Sequence, residues 1–112
     1  MSEEITADVI RRYNDVFQKR DVDALDDLIG EGCVIENTDG QRVEGRAAAI
    51  AWWRAIAENR AAHFDLEDVH IAGDRAVIRW RYVHDGGSTR GVNLMLVRDG
   101  RIVEGLGYAK TT

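Results

Sequence analysis

Proline is absent from this chain of 112 residues, and cysteine occurs once, as Cys33. Without proline there is no cue to a domain boundary. A single thiol excludes an internal disulfide and suits a reducing, cytoplasmic setting. Long apolar runs are missing too: none approaches the roughly 20 residues that a membrane-spanning helix needs. The polar start Ser2-Glu3-Glu4 is unlike a signal peptide. Nor is there an excess of positive charge. Fifteen Lys and Arg stand against twenty Asp and Glu, a net charge of −5, which does not suit a nucleic-acid backbone as partner. Arg79, Arg81, Arg90, Arg98 and Arg101 do cluster, but arginines on strands are read as a solvated or interface face. Internal repeats, low-complexity tracts and linkers are not found. What remains is the composition of a globular domain, read as one unit over 1–112 and long enough to bury a core.

The apolar periodicity gives helices first and strands afterwards. Ile5, Val9, Tyr13, Val16 and Phe17 follow helical spacing, with Ser2 or Thr6 as the cap. Asp21 can cap a second helix, Val22 to Ile29, that Gly30 and Gly32 stop. Cys33 to Asn37 reads as a short strand running into the polar loop Thr38-Asp39-Gly40-Gln41. Gly45 precedes a third helix, Arg46 to Asn59, in which the neighbours Trp52 and Trp53 point about 100° apart and cannot face the core equally. Strands follow near His63–Ile71, Arg75–His84, Thr89–Arg98 and Arg101–Tyr108. This order predicts an α+β domain with the helices packed on one face of an antiparallel sheet.

Within Val92–Val97, Asn93 is the one polar residue. A buried amide costs a few kcal/mol unless it is hydrogen-bonded, so its surroundings matter. Asp99-Gly100 is a strong two-residue hairpin signal, and it would set Met95 opposite Glu104, Asn93 opposite Leu106 and Gly91 opposite Tyr108. Gly86-Gly87 reads as a second two-residue turn, which would oppose Trp80 to Asn93 and Tyr82 to Gly91; a loop that includes Asp85 and Ser88 is the alternative. One sheet face then carries Ile78, Trp80, Tyr82, Asn93, Met95, Leu106 and Tyr108, the expected floor of a pocket. The other face, with Val77, Val83, Val92, Leu94, Leu96 and Val103, is apolar as well and holds Gly105 and Gly107. A sheet apolar on both sides needs a second cover, and a homodimer through this outer face is the economical one.

The Gly45-Arg46 helix start, the strand containing Trp80 and the hairpin Arg98-Asp99-Gly100-Arg101-Ile102-Val103-Glu104, behind three helices, resemble the nuclear transport factor 2-like superfamily. The branch they look most like is that of the SnoaL-like polyketide cyclases and ketosteroid isomerases. The resemblance spans almost the whole chain. It implies a cone in which a curved sheet wraps around the helices and encloses a largely apolar pocket. By the same resemblance Tyr13 falls at the isomerases' helix tyrosine and Asn93 at their strand aspartate. Their base position falls at Asn37, with Glu36 beside it. The cyclases' histidine and aspartate on the last strand have no match near Gly105, Gly107 and Lys110, and Arg79-Trp80-Arg81 does not supply the Arg-x-Asp pair of limonene-epoxide-hydrolase-like members.

The site expected from these readings has Tyr13 and Asn93 polarising a ligand oxygen. Glu36, Glu104, His84 or His63 is the candidate base, Glu36 only if its strand slips by one place and Glu104 near the hairpin end of Asn93's face. Asn37, Trp52, Trp80, Tyr82, Met95, Leu106 and Tyr108 are expected to line the pocket. His63, His70 and His84 are too scattered for a metal site, and no cofactor is implied. The function expected is a pocket for a small apolar ligand, with isomerase or cyclase action on a carbonyl-bearing, steroid- or polyketide-like compound. A non-catalytic ligand-binding or dimeric accessory domain is the alternative.

Overall fold

Helix α1 runs over Glu3–Lys19 and buries Thr6, Val9, Ile10, Tyr13 and Val16, the stripe its spacing requires. The structure is a computed structural model, and it describes residues 3–111. Ser2, the first cap candidate, lies outside those residues. Thr6, the second, sits inside the helix and donates its hydroxyl to the Gly73 carbonyl at 2.8 Å. After α1 a 3₁₀ turn, Val22–Ala24, leads into a single helical turn, α2, Leu25–Leu28. Strand β1 then starts at Ile29 and runs to Glu36. The expected second helix is therefore shorter, and Gly30 and Gly32 belong to the strand instead of ending the helix. A Cβ on Gly30 would lie 3.0 Å from Val103 Cγ1, so the missing side chain lets β6 approach.

The loop after β1 returns as a three-residue strand, β2, Arg42–Glu44, which the sequence reading did not anticipate. Helix α3 covers Arg46–Glu58, and β3, β4, β5 and β6 cover His63–Ala72, Arg75–His84, Gly87–Arg98 and Arg101–Ala109. The six strands form one sheet in the order β2-β1-β6-β5-β4-β3. It is mixed: β1 runs parallel to β6, while the other neighbours are antiparallel. The helices pack on one face, and the core between them includes Ile10, Leu25, Leu28, Ile29, Ile78, Met95 and Ile102. Among the described residues no helix is long and apolar enough to cross a membrane.

Arg20 locks α1 to α3. It sits just beyond α1 with φ at 56°, in the left-handed region. Its guanidinium donates to the carbonyls of Ala57, Asn59 and Ala62 at 2.9, 3.0 and 3.0 Å, which satisfies carbonyls at the end of α3 and just beyond it. This clasp fixes the distance between the two helices that roof the sheet.

Both hairpin registers differ from expectation, with different consequences. The β4–β5 turn is Asp85-Gly86, since His84 pairs with Gly87, and Asn93 therefore opposes Ile78 while Trp80 opposes Gly91. That shift is two residues, so every side chain stays on its expected face. The Asp99-Gly100 turn is as expected, with φ of 52° and 75° and Arg98 opposite Arg101. Beyond it, however, a bulge at Val103 moves the pairing by one residue, so that Met95 opposes Gly105 and Asn93 opposes Gly107. A single-residue shift exchanges the faces. Gly105 and Gly107 therefore lie inside, and Glu104, Leu106 and Tyr108 lie outside. Tyr108 is 51% exposed.

Candidate functional site

Between the sheet and the helices lies a cavity of about 490 Å³, within the range of small-molecule sites. All three tryptophans, both phenylalanines and two of the three tyrosines line it. Edge-to-face contacts join Trp53, Tyr13, Phe17, Phe64 and Trp80 into one wall that crosses four elements. Trp53 on α3 meets Tyr13 on α1 at 5.2 Å, Phe17 meets Phe64 on β3 at 5.7 Å, and Phe64 meets Trp80 on β4 at 5.5 Å. Among the described residues no Lys or Arg lines the cavity; its polar groups are amides, hydroxyls and indole N–H groups, with His84 and Glu36 the only lining side chains of the charge-bearing types.

Space for this wall comes from glycine. A Cβ on Gly105 would lie 2.9 Å from Trp53 Cζ2, and one on Gly91 would lie 2.5 Å from Trp80 Cη2. The indole of Trp80 thus fills the gap that Gly91 leaves, a gap expected to separate two tyrosines. Gly107 faces the cavity opposite Asn93, and a side chain there would crowd Asn93 Oδ1 and Thr38 Cγ2 at 3.4 and 3.3 Å.

The Asn93 amide lies in the midst of the aromatic wall. Trp80 Nε1–H donates to Asn93 Oδ1 at 3.1 Å, which fixes which end of the amide is oxygen. Nδ2 is then directed to the Tyr13 hydroxyl, at 3.5 Å. That is long for a hydrogen bond, so the two donors are close to each other without being tightly committed. Burial pushes the Tyr13 phenol well above its ordinary range, against the opposing effect of the Asn93 hydrogen bond. Tyr13 is therefore a neutral O–H donor at any physiological pH. Among the described residues no buried side-chain nitrogen or oxygen lacks a partner.

The remaining expected site residues fall as follows. Trp52, Tyr82 and Asn37 line the cavity, as do Tyr13, Trp80 and Asn93. The Asn37 amide donates to Asp39 Oδ1 at 3.2 Å within the β1–β2 turn. Glu36 contributes to the lining, but its register places it beside Leu106, on the outer side of the sheet. Its carboxylate lies 3.9 Å from the Arg42 guanidinium. Met95 faces inward and is wholly buried beneath Gly105, outside the lining. Leu106 and Tyr108 are corrected: the Val103 bulge carries both to the opposite face, away from the cavity. His84 lines the cavity with its ring 5.5 Å from that of Tyr82, whereas His63 pairs with Asp65 at 3.4 Å on the surface. Among the described residues no three His, Cys, Asp or Glu side chains converge as metal ligands.

Phe17, Trp53 and Phe64 were missed as lining residues. Phe17 carried a signal, because it sits on the Tyr13 stripe. Phe64 carried none until its pairing with Tyr82 was known.

The chain belongs to the SnoaL-like domain family, whose pattern it matches over residues 10–105. Its fold is that of the nuclear transport factor 2-like, or cystatin-like, proteins. It is similar to a nuclear transport factor 2-like protein of unknown function from Mesorhizobium loti, with 56% identity and a TM-score of 0.94 over 96% of this chain and 93% of that one. A Kribbella flavida protein provisionally named a ketosteroid isomerase shares the fold at 19% identity, with a TM-score of 0.85 over 97% and 80% of the two chains. A Sinorhizobium meliloti protein provisionally named a polyketide cyclase does so at 24% identity, with a TM-score of 0.77 over 89% and 93%. Among curated proteins none matches this chain.

Proposed function

We propose that this protein binds, in the aromatic cavity, a small and mostly apolar molecule that carries a carbonyl or hydroxyl oxygen. The observation that carries this reading is the oriented chain Trp80→Asn93→Tyr13. The indole N–H fixes the amide, and the amide presents Nδ2 hydrogens to a space it shares with the Tyr13 hydroxyl. A ligand oxygen seated there would accept from both donors, and each link polarises the next. With no Lys or Arg among the described lining residues, an anionic ligand would lose its hydration without a permanent counter-charge. An uncharged ligand suits this lining of aromatic rings, amides and hydroxyls best.

The test is selectivity between two probes of one shape, 2-naphthol and naphthalene, titrated by quenching of the wall tryptophans. The parent should prefer the naphthol. Tyr13→Phe and Asn93→Leu should each weaken it by about tenfold, equivalent to one hydrogen bond of about 1.4 kcal/mol, and leave naphthalene within twofold. Equal affinity for both probes in the parent would contradict the reading.

A second reading keeps the pocket and adds chemistry: an isomerase or cyclase acting on a carbonyl-bearing, steroid- or polyketide-like compound. The names of the Kribbella and Sinorhizobium proteins and the presence of His84 in the lining favour it. Tyr13 and Asn93 would hold the oxyanion, and His84 would take the proton. Glu36 is the poorer base because its strand register turns it toward Arg42. We further propose a homodimer through the outer sheet face, where Val77, Val92, Leu94, Leu106 and Tyr108 form the apolar surface. A cytoplasmic setting agrees with the free, fully buried Cys33.

A further inference from the structure

A second apolar depression, of about 240 Å³, lies between α1 and β3. Ile10, Val69 and Ile71 give it an apolar floor, and Ala7 closes its far end. It is not a separate feature of the surface. Asn14, Gln18 and Leu66 line both this groove and the aromatic cavity, so the two spaces share one wall.

Three further observations bear on what the groove holds. Leu66 is 43% exposed, although it lies on the inward face of β3 opposite Trp80. An apolar side chain of that size at the junction of two apolar spaces is unfilled contact surface. Two hydrogen bonds also tie α1 to β3 and to the turn after it, one near each end of the groove. Thr6 Oγ1 donates to the Gly73 carbonyl at 2.8 Å at one end, and Gln18 Nε2 donates to the Phe64 carbonyl at 2.9 Å at the other. Between those ties Ala7, Arg11, Asn14 and Gln18 form one helical stripe about 16 Å long at roughly 1.5 Å per residue. Finally, the charges on the helix side are paired along the helix: Arg11 meets Asp8 and Asp15, and Asp15 meets Lys19. The two charged residues described in its lining, Arg11 and Asp15, are thus both paired and leave no free charge there for a charged end group.

We infer that the groove is a tail subsite. The ligand has a compact head whose oxygen sits at Tyr13 and Asn93, and an unbranched apolar chain that leaves the cavity past Leu66 and lies along β3 toward Ala7. This rests on the reading of the aromatic cavity as a ligand site, and it specifies the ligand class as an uncharged amphiphile in place of a compact ring system alone.

The test is a series of 2-naphthols with straight alkyl chains of increasing length at carbon 6, with 2-naphthol as reference. In the parent, affinity should rise by up to about fourfold per methylene, the gain from burying one CH₂, until the groove is full. Ala7→Glu and Ile71→Thr alter the groove without touching the aromatic cavity; the first changes an exposed helix position and should fold normally. Both variants should bind 2-naphthol within twofold of the parent and lose the gain for the longer chains. A chain-length gain that is the same in parent and variants, or no gain in the parent, would overturn the tail subsite while 2-naphthol binding keeps the cavity reading intact. Failure of 2-naphthol itself to bind would overturn both.

Discussion

At the residue scale the structure turns on one amide. Asn93 was legible in the sequence because a lone polar residue among β-formers must be paired or used. Its neighbours were only half legible. Trp80 was on the right face, and the indole-to-amide bond follows from that. Tyr13 lies 80 positions away in sequence, and only the family resemblance, not spacing, brought it to the site. Trp52 and Trp53 could not be ranked by adjacency; in the fold both line the cavity, with Trp53 4% exposed. The same burial that makes Tyr13 a durable donor has a cost at high pH. Its folded-state pKa is raised, and burial likewise pushes the Cys33 thiol up to about 12. Both groups must stay protonated to remain folded but can ionise freely once unfolded. Stability is therefore full below about pH 8 and falls as pH rises, from about pH 8.5 for Cys33 and about pH 10 for Tyr13. Urea midpoints measured from pH 8 to 11 should fall steadily. Cys33→Ala should flatten the first part of that fall and Tyr13→Phe the last, each by up to about 1.4 kcal/mol per pH unit. An unchanged slope in both variants would show that other groups control alkaline unfolding.

At the element scale, strand existence was far more legible than strand register. Alternation and turn residues placed β3 to β6 within two residues of where they lie. The parity of each register error then decided what survived. Moving the β4–β5 turn by two residues changed partners and left faces alone, so Ile78, Trp80, Tyr82 and Asn93 stayed together. The single-residue bulge at Val103 exchanged Leu106 and Tyr108 for Gly105 and Gly107. Its physical logic is visible in the fold: two bulky groups, Trp53 and the Asn93 amide, need bare backbone opposite them, and Gly30 accepts the displaced Val103. Paired glycines at i and i+2 facing a tryptophan-rich helix are the one trace of this in the sequence. The short β2 and the truncated α2 left less, because three residues of strand and four of helix are below the length at which periodicity means anything.

At the scale of the whole molecule, the sheet separates two apolar surfaces with different fates. The inner one is covered by the chain's own helices and retains a cavity. Over the outer one no helix among the described residues packs, and ion pairs bound it on two sides: Arg75 with Glu104 at 2.7 Å, and Arg90 with Glu67 at 2.9 Å. An apolar centre with a charged rim is the anatomy of a protein interface. Sedimentation equilibrium at micromolar concentration should give a dimer, and Leu94→Asp, at the centre of the patch, should give a folded monomer. A parent that sediments as a monomer would refute the dimer and leave the cavity untouched, since every lining group comes from one chain.

The central claim is that Tyr13 and Asn93 jointly hold a ligand oxygen. The most direct measurement is a crystal structure of the protein with 2-naphthol bound. The claim predicts the ring against the aromatic wall and its oxygen within about 3.2 Å of both Tyr13 Oη and Asn93 Nδ2. A naphthol whose oxygen points to the cavity mouth, with the Asn93–Tyr13 space unchanged, would contradict it.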